Sequence, residues 1–365
     1  MEIKTIHASG SPFTVGYQHG AGAAKEIDAT YKYYMTSWRS QSGIEEKEIL
    51  EKANAFLPFI ENLDGRFVDE LKGIAKGSGL EFSKILALNC RWELNYEYLA
   101  DMNEADGGCT AFAMIPEATK NHHTYVGQNW DYKPPLNGLS ILLKIEQPDR
   151  PSLTMITEAG IIGHKGFSSS GIGLCVNFIK LATDTFTTGI PFFIKMRYLL
   201  EQPTIDACLN FLRKNTGPNS GNILIASREG IAADIECNPK GMNIIHPTKG
   251  ILVHSNHFQI LPDRNKDIGC MLLPDTFNRT NRLGKHLVEC KAITTSEAIE
   301  IGLRDHSGLP NSICRHPDES IAVESRWETL ISFYVDLDEE NLKFTVGSPC
   351  LSTFTSCVPS KKVAP

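Results

Sequence analysis

The sequence predicts an α+β protein, helical in its first third and rich in strands thereafter, with sheets covered by helices in one compact unit. Three observations predict this. Up to about residue 99, apolar residues recur at helical spacing. From Gly107 onward the pattern changes to short apolar runs bounded by turn residues, the signature of strands. No Ser-, Gly- or Pro-rich linker and no internal repeat divides the 365 residues, and 41% hydrophobic with 22% charged content is an ordinary globular balance.

The elements follow in order. Residues 1–10 read as an edge strand. Ser11-Pro12 opens a helix with an N-cap and a proline at the first helical position. Gly16, Gly20 and Gly22 weaken that helix intrinsically, so close packing against another element is the expected compensation. Residues 44–62 and 66–77 form amphipathic helices, the second closed by Gly77 or Gly79 in a left-handed cap. A further helix runs from Ser83 to about Leu99. Cys109–Ile115 and Thr124–Asp131 pair as a hairpin around the polar turn Asn121-His122-His123. Strands are expected at 140–146, 153–157, 171–178, 223–227, 232–236, 251–254, 329–336 and 342–346. Helices are expected near 190–202, 204–214, 276–290 and 295–304, with an irregular tail after Ser348.

Composition excludes several functions. A net charge of −7 disfavours a nucleic-acid role. No run of about 18 apolar residues suits a membrane span. Ten cysteines contain no C-x-x-C pair, which argues against zinc-ribbon and thioredoxin-type sites and for buried, reduced thiols in an intracellular protein. His254 and His257, three apart with no third ligand in pattern, make a weak metal pair, and Ser325 lacks a G-x-S-x-G context for a nucleophile. No metal or organic cofactor is expected.

The junction Asp106-Gly107-Gly108-Cys109-Thr110 is where helical and strand character meet. Taken alone, Gly-Gly-Cys reads more often as a turn than as a reactive site. A thiol there needs a base. If Gly108–Cys109 were cleaved, the new α-amine of Cys109, with a reference pKa of about 7.7–8.0, could serve. Gly108 lacks a Cβ, so the thiol can approach its carbonyl.

The surrounding blocks decide between these readings. Ser11-Pro12-Phe13-Thr14-Val15-Gly16-Tyr17-Gln18-His19-Gly20, Gly73–Gly77, Gly108-Cys109-Thr110, Gly127-Gln128-Asn129-Trp130-Asp131, Ile156–Gly163, His254-Ser255-Asn256-His257, Ser312-Ile313-Cys314-Arg315 and Ser325-Arg326 keep their order across the chain. Together they resemble the isopenicillin N acyltransferase (acyl-CoA:6-aminopenicillanic acid acyltransferase) family, peptidase C45-type members of the N-terminal nucleophile hydrolases. The resemblance implies an αββα sandwich and self-cleavage at Gly108–Cys109 into a 1–108 α segment and a 109–365 β segment that stay together. It implies Cys109 as nucleophile with its freed amine as base, Asp131 as the catalytic acidic residue, Asn256 as oxyanion donor, and Arg326 beside the acidic residue. Thr110, Trp130 and Tyr132 are candidates for lining an acyl pocket. The sequence departs from the pattern at Gly107, where the family has an acidic residue, and at Ala111, where it has a hydroxyl; the 115–125 hairpin is also longer.

The expected function is therefore acyl transfer through a Cys109 acyl-enzyme, from acyl-CoA or an amide to an amine, penicillin-biosynthesis-like chemistry in secondary metabolism. An amidohydrolase using water as acceptor, or a non-cleaving scaffold, is the alternative. The partners are small molecules and the cleaved segment itself, with no nucleic acid and no membrane. Without an apolar leader or an S-K-L-type terminus, a cytoplasmic protein is expected.

Overall fold

The computed structural model describes residues 2–98, 108–261, 263–289 and 294–358. Asp106 and Gly107, and with them the departure beside the expected cleavage point, lie outside these. The elements in order are β1 (Lys4–Ser9), α1 (Pro12–Gly22), α2 (Ala24–Ser42), α3 (Glu46–Asn54), α4 (Leu57–Leu63), α5 (Gly65–Ser78), α6 (Phe82–Asn89) and α7 (Arg91–Tyr98). Then follow β2 (Thr110–Met114), β3 (Tyr125–Tyr132), β4 (Ser140–Glu146), β5 (Leu153–Glu158), β6 (Lys165–Ser168), β7 (Ile172–Asn177), α8 (Phe192–Leu200) and α9 (Ile205–Lys214). The rest are β8 (Gly221–Ser227), β9 (Ile231–Asn238), β10 (Gly241–Ile245), β11 (Ile251–His254), α10 (Ile268–Leu272), α11 (Thr276–Glu289), α12 (Thr295–Leu303), β12 (Glu328–Asp336), β13 (Asn341–Val346) and β14 (Thr355–Cys357).

These build an αββα sandwich. One sheet has eight strands in the order β1-β4-β5-β6-β7-β8-β9-β10, and the other six in the order β11-β2-β3-β12-β13-β14. The first residues form an edge strand as expected, pairing parallel with β4. The β2–β3 hairpin forms with Thr110 opposite Asn129. The two sheets meet through β2 and β3 against β7 and β8. Helices α8 and α9 cover the eight-stranded sheet, and α11 packs on β11. The outer face of the six-stranded sheet is apolar: Phe112, Met114 and Tyr334 pack with Leu283 and Leu287 of α11 and Ile299 and Leu303 of α12.

The N-terminal helices attach by close backbone approach. Ser11 caps α1, its Oγ accepting from Thr14 N at 3.2 Å. A Cβ on Gly16 would lie 1.9 Å from Glu70 O, and one on Gly73 2.2 Å from Phe13 O. The α1 glycines are thus the counterpart of those in α5, and side chains at either would drive the helices apart. Gly79 closes α5 at φ 76°. Two helices expected as single pieces are each broken: 44–62 divides at Ala55-Phe56 before Pro58, and the helix expected from Ser83 divides at Cys90.

Buried polar contacts then lock this layer to the eight-stranded sheet. Glu158 accepts from the Arg91 guanidinium and from Tyr34 Oη at 2.6 Å. Gly160 N donates to His19 Nε2 at 3.0 Å. Burial, reinforced by the Arg197 charge, pushes the His19 pKa down to about 3, so the ring stays a neutral acceptor. No helix among the described residues is long and apolar enough to cross a membrane.

Candidate active site

Strand β3 sorts the site by alternation, because successive side chains point to opposite faces of a sheet. Gln128 bonds Val176 O across the sandwich at 3.0 Å, and Trp130 lies under Lys165 of β6, whose Nζ is 3.4 Å from the ring centroid. Asn129 turns the other way, donating to Leu303 O and Ile313 O at 2.9 and 2.8 Å. Asp131 shares that second face. Cys109 immediately precedes β2, and Gly108 N extends the ladder by donating to Asp131 O at 3.2 Å.

On the helical face, Arg279 of α11 gathers the junction. Its Nη1 donates to Gly108 O and Cys109 O, both at 2.8 Å, and to Thr110 Oγ1 at 2.9 Å. Its Nη2 donates to Asn256 Oδ1 at 2.8 Å, and its Nε to Asp275 Oδ2 at 2.6 Å. Asp275 also receives Arg315 Nη2 at 2.5 Å. Burial opposes ionisation of Asp275, but the two guanidiniums outweigh it and hold the carboxyl below its ordinary pKa. The i, i+4 spacing of Asp275 and Arg279 puts both on one face at the start of α11.

Asp131 is fully buried. Its Oδ1 accepts from Thr329 Oγ1 at 2.6 Å, and its Oδ2 lies 3.7 Å from Arg315 Nε. Neither Oδ2 nor that Nε has a hydrogen-bond partner among the described residues. Burial pushes the Asp131 pKa up to about 7, against the pull of Arg315 and of the Thr329 hydrogen bond. Thr329 sits at a register shift in β12, between Thr329 and Ile331, which aims its hydroxyl at Asp131.

The expected arginine is corrected. Arg326 donates to Ile321 O at 2.9 Å and to Glu319 O at 3.0 Å, holding its own surface loop. The residue beside Asp131 is Arg315, which belongs to the Ser312–Arg315 block. Its backbone explains the placement: Arg315 N donates to Thr329 Oγ1 at 2.9 Å, and its carbonyl accepts from Thr329 N at 3.1 Å.

Asn256 is buried beyond the end of β11, with Nδ2 donating to Phe178 O at 2.9 Å. His254 anchors its loop, bonding Ser255 O through Nδ1 at 2.9 Å and Glu236 through Nε2 at 3.1 Å. Burial alone would neutralise that ring, but Asp234 and Glu236 raise its pKa to about 9, so it is an ion-paired histidinium. His257 instead bonds Thr276 Oγ1 at 2.9 Å. The pair weighed as metal ligands is thus engaged in the protein's own hydrogen bonds.

The inter-sheet face is different in kind. Burial raises the Cys109 thiol pKa, and the strongest opposing charge is the Lys165 ammonium. Lys165 is itself pushed down to about 7 by burial. Trp130 and Tyr132 are buried there with rings 6.4 Å apart, Tyr132 packing edge-on to Trp327. Asn177, at the end of β7, is buried, and neither end of its amide has a partner among the described residues. Thr110, grouped with the pocket candidates, faces Arg279 instead.

Arg279, Arg315, Asp275, Lys165 and Asn177 were not singled out from the sequence as site residues. Only Arg315 lay in a family block, and Asp275-x3-Arg279 is an ordinary helix pair until the fold brings it to Gly108.

The profile of the acyl-coenzyme A:6-aminopenicillanic acid acyl-transferase family matches residues 118–350. A fungal relative, the acyl-coenzyme A:6-aminopenicillanic-acid-acyltransferase 40 kDa form of Emericella nidulans, is 30% identical over 94% of this chain and 92% of its own. The chain belongs to this acyltransferase family. As a member, it is an enzyme of acyl transfer or amide hydrolysis. An uncharacterized protein of Archaeoglobus fulgidus is 22% identical over 54% of this chain and 36% of its own. Among solved structures, a variant of conjugated bile acid hydrolase from Clostridium perfringens is similar at TM-score 0.46 and 13% identity, over 70% of this chain and 99% of that one. Penicillin V acylase from Agrobacterium tumefaciens is similar at TM-score 0.43 and 14% identity, over 65% of this chain and 83% of that one.

Proposed function

We propose that this family member cleaves its own Gly108–Cys109 bond and then carries an acyl group on the Cys109 thiol, passing it to an amine or to water. The observation that supports this most is the buried Arg279 guanidinium on Gly108 O at 2.8 Å. A fixed cation on that oxygen favours the negative charge that develops when a nucleophile attacks the carbonyl carbon.

The Cys109 sulfur attacks the Gly108 carbonyl and its proton passes to a base. The tetrahedral intermediate collapses with scission of the C–N bond, the Cys109 nitrogen taking a proton as it leaves. Water hydrolyses the Gly108 thioester, giving a carboxylate and restoring the thiol. Before scission the α-amine of Cys109 is tied up as an amide, so another group must take the first proton. Lys165, with a pKa lowered to about 7 and its charge already coupled to the thiol, suits that task. After scission the free amine can act.

In the second phase the substrate carbonyl takes the place of Gly108, and the acyl group moves to Cys109. The Asn256 amide has a second Nδ2 hydrogen beyond the one on Phe178 O, and it suits the substrate oxyanion. The donor we infer is an acyl thioester such as acyl-CoA, as the Emericella relative's name suggests, or alternatively a small amide. Asp131 and Arg315 support the junction from the helical face, beside Arg279.

Intact-mass spectrometry of denatured protein tests the first phase. Fragments 1–108 and 109–365 are expected from wild type and one full chain from Cys109→Ala. A cleaved, active Cys109→Ala protein would sink the mechanism. Adding hydroxylamine to substrate turnover tests the second, since a trapped hydroxamate reports an acyl-enzyme open to amines.

A further inference from the structure

The loop between α12 and β12, and the turn after β13, bring together four residues that the acyl chemistry does not use: His306, Cys314, His316 and Cys350. One ligand atom from each lies within 4.8 Å of the others. His316 Nε2 is the focus, 3.2 Å from His306 Nε2, 3.2 Å from Cys350 Sγ and 3.7 Å from Cys314 Sγ. Hydrogen bonding does not account for this convergence. An imidazole nitrogen carries one proton or one in-plane lone pair, so it can serve only one of three such neighbours well. A shared cation can serve all of them. Zinc–nitrogen bonds of about 2.0–2.1 Å and zinc–sulfur bonds of about 2.3 Å, arranged tetrahedrally, separate their donor atoms by roughly 3.3–3.8 Å. The distances here fall at or just below that range.

We propose that His306, Cys314, His316 and Cys350 form a closed Cys2His2 site for zinc, holding a structural metal. Two thiolates and two imidazoles match zinc's borderline softness, and four protein ligands leave no open position for chemistry. The site would tie together three pieces of chain: the residues after α12, the run to β12, and the Pro349–Leu351 turn. The middle piece carries Arg315 between the ligands Cys314 and His316. The same run is held from other sides by Cys314 N on Asp305 O at 2.9 Å and Ser348 Oγ on Arg315 O at 3.2 Å. A zinc here would fix the loop that positions Arg315 against Asp131 and Asp275. The spacing hides the site from sequence: the ligands fall at 306, 314, 316 and 350, with no C-x-x-C pair, which is why no metal was expected.

Zinc binding stands apart from the self-cleavage reading and is tested without it. Full-length protein, purified under reducing conditions without chelator, is expected to hold about one zinc per chain by elemental mass spectrometry. Replacement with Co2+ should give thiolate-to-cobalt charge-transfer absorption with intense tetrahedral visible bands. His306 is exposed, so His306→Ala should fold yet bind zinc at least about tenfold more weakly; Cys350→Ser should do the same. A chelator should lower the thermal midpoint of wild type but not of His306→Ala. The proposal is overturned if the protein neither contains zinc nor takes it up from equimolar Zn2+. It is equally overturned if both variants keep the wild-type metal content, or if alkylation before reduction maps a Cys314–Cys350 disulfide.

Discussion

The two faces of the sheet around Cys109 are built on opposite terms. On the helical face, Arg279 donates to five different partner atoms and shares Asp275 with Arg315. The charges of Arg279, Asp275 and Arg315 meet opposite charges there, whereas Asp131, with Oδ2 unpartnered among the described residues, is pushed up to a pKa of about 7 by burial. On the inter-sheet face a lysine lies over an indole ring, and an asparagine is buried with neither end of its amide paired. The difference teaches which groups hold the site and which are left to react. Paired charges in a dry interior stay charged and hold geometry. A cation buried without such pairing loses its charge near neutrality and becomes a base.

The largest loss is expected on the paired side. Arg279→Met leaves Asn256 Oδ1, Thr110 Oγ1 and two backbone carbonyls without their Arg279 donor, and leaves Asp275 with Arg315 alone. It should lose about 3–5 kcal/mol of stability and abolish self-cleavage, read by chemical denaturation and intact mass. Near-wild-type stability would show that the cradle is not structural. Asn256→Ala should slow acyl transfer by about 10²–10³-fold if its amide meets the oxyanion; turnover within about twofold of wild type would remove it from that role.

Lys165→Met should separate the two faces. Cleavage should slow by about 10²-fold or more, without the stability loss of Arg279→Met. Wild-type cleavage should rise as pH passes through about 7, where Lys165 loses its proton, and the variant should lack that limb. The stability sign is fixed by linkage. The folded lysine has the lower pKa, so between about 7 and 10.5 the unfolded chain binds more protons and stability rises with pH. Below that window the burial cost is present in full. The advantage of Lys165→Met in urea denaturation should therefore be largest at acidic pH and fade toward pH 10. An advantage that grows with pH would contradict the assignment.

Smaller effects follow. Asn177→Leu should lower kcat/KM by about tenfold if the amide contacts substrate, yet leave stability equal or improved, since it removes unpaired buried polar groups. Lost stability would mean the amide already has a structural partner. Arg326→Ala should change stability by no more than about 0.5 kcal/mol, as expected of a surface position, whereas Arg315→Ala should disturb Asp131 and cleavage.

Much of this fold was legible in the sequence, and the reasons differ by element. The β2–β3 hairpin and the α1 cap follow from local turn chemistry and could be read directly. Strand β6 was missed because Lys165-Gly166-Phe167-Ser168 is short, begins with a charge and carries a glycine at φ 152°. Cys109 and Asp131 stand in contiguous blocks. Arg279 does not, because its value lies in reaching a residue 171 positions away. Arg326 misled because the Ser325-Arg326 match to a family block says nothing about which way its loop turns. Some of the most recognisable residues, Ile156–Gly163, prove to be architectural: they are where Arg91, Tyr34, His19 and Asn89 fasten the N-terminal helices.

That fastening would hold a self-cleaved protein together. Strand β1 pairs with β4, and Arg91 and Tyr34 bond Glu158, so a cut after Gly108 would leave the contact surface intact while dividing the covalent chain. Native, the two proposed segments would be one body; unfolded, they would be two molecules that must find each other again. Refolding would thereby become a second-order reaction, and the thermal midpoint of the cleaved form should depend on protein concentration where that of Cys109→Ala does not. Self-cleavage would convert a reversible folder into a protein assembled once, whose working lifetime is set by how slowly it opens.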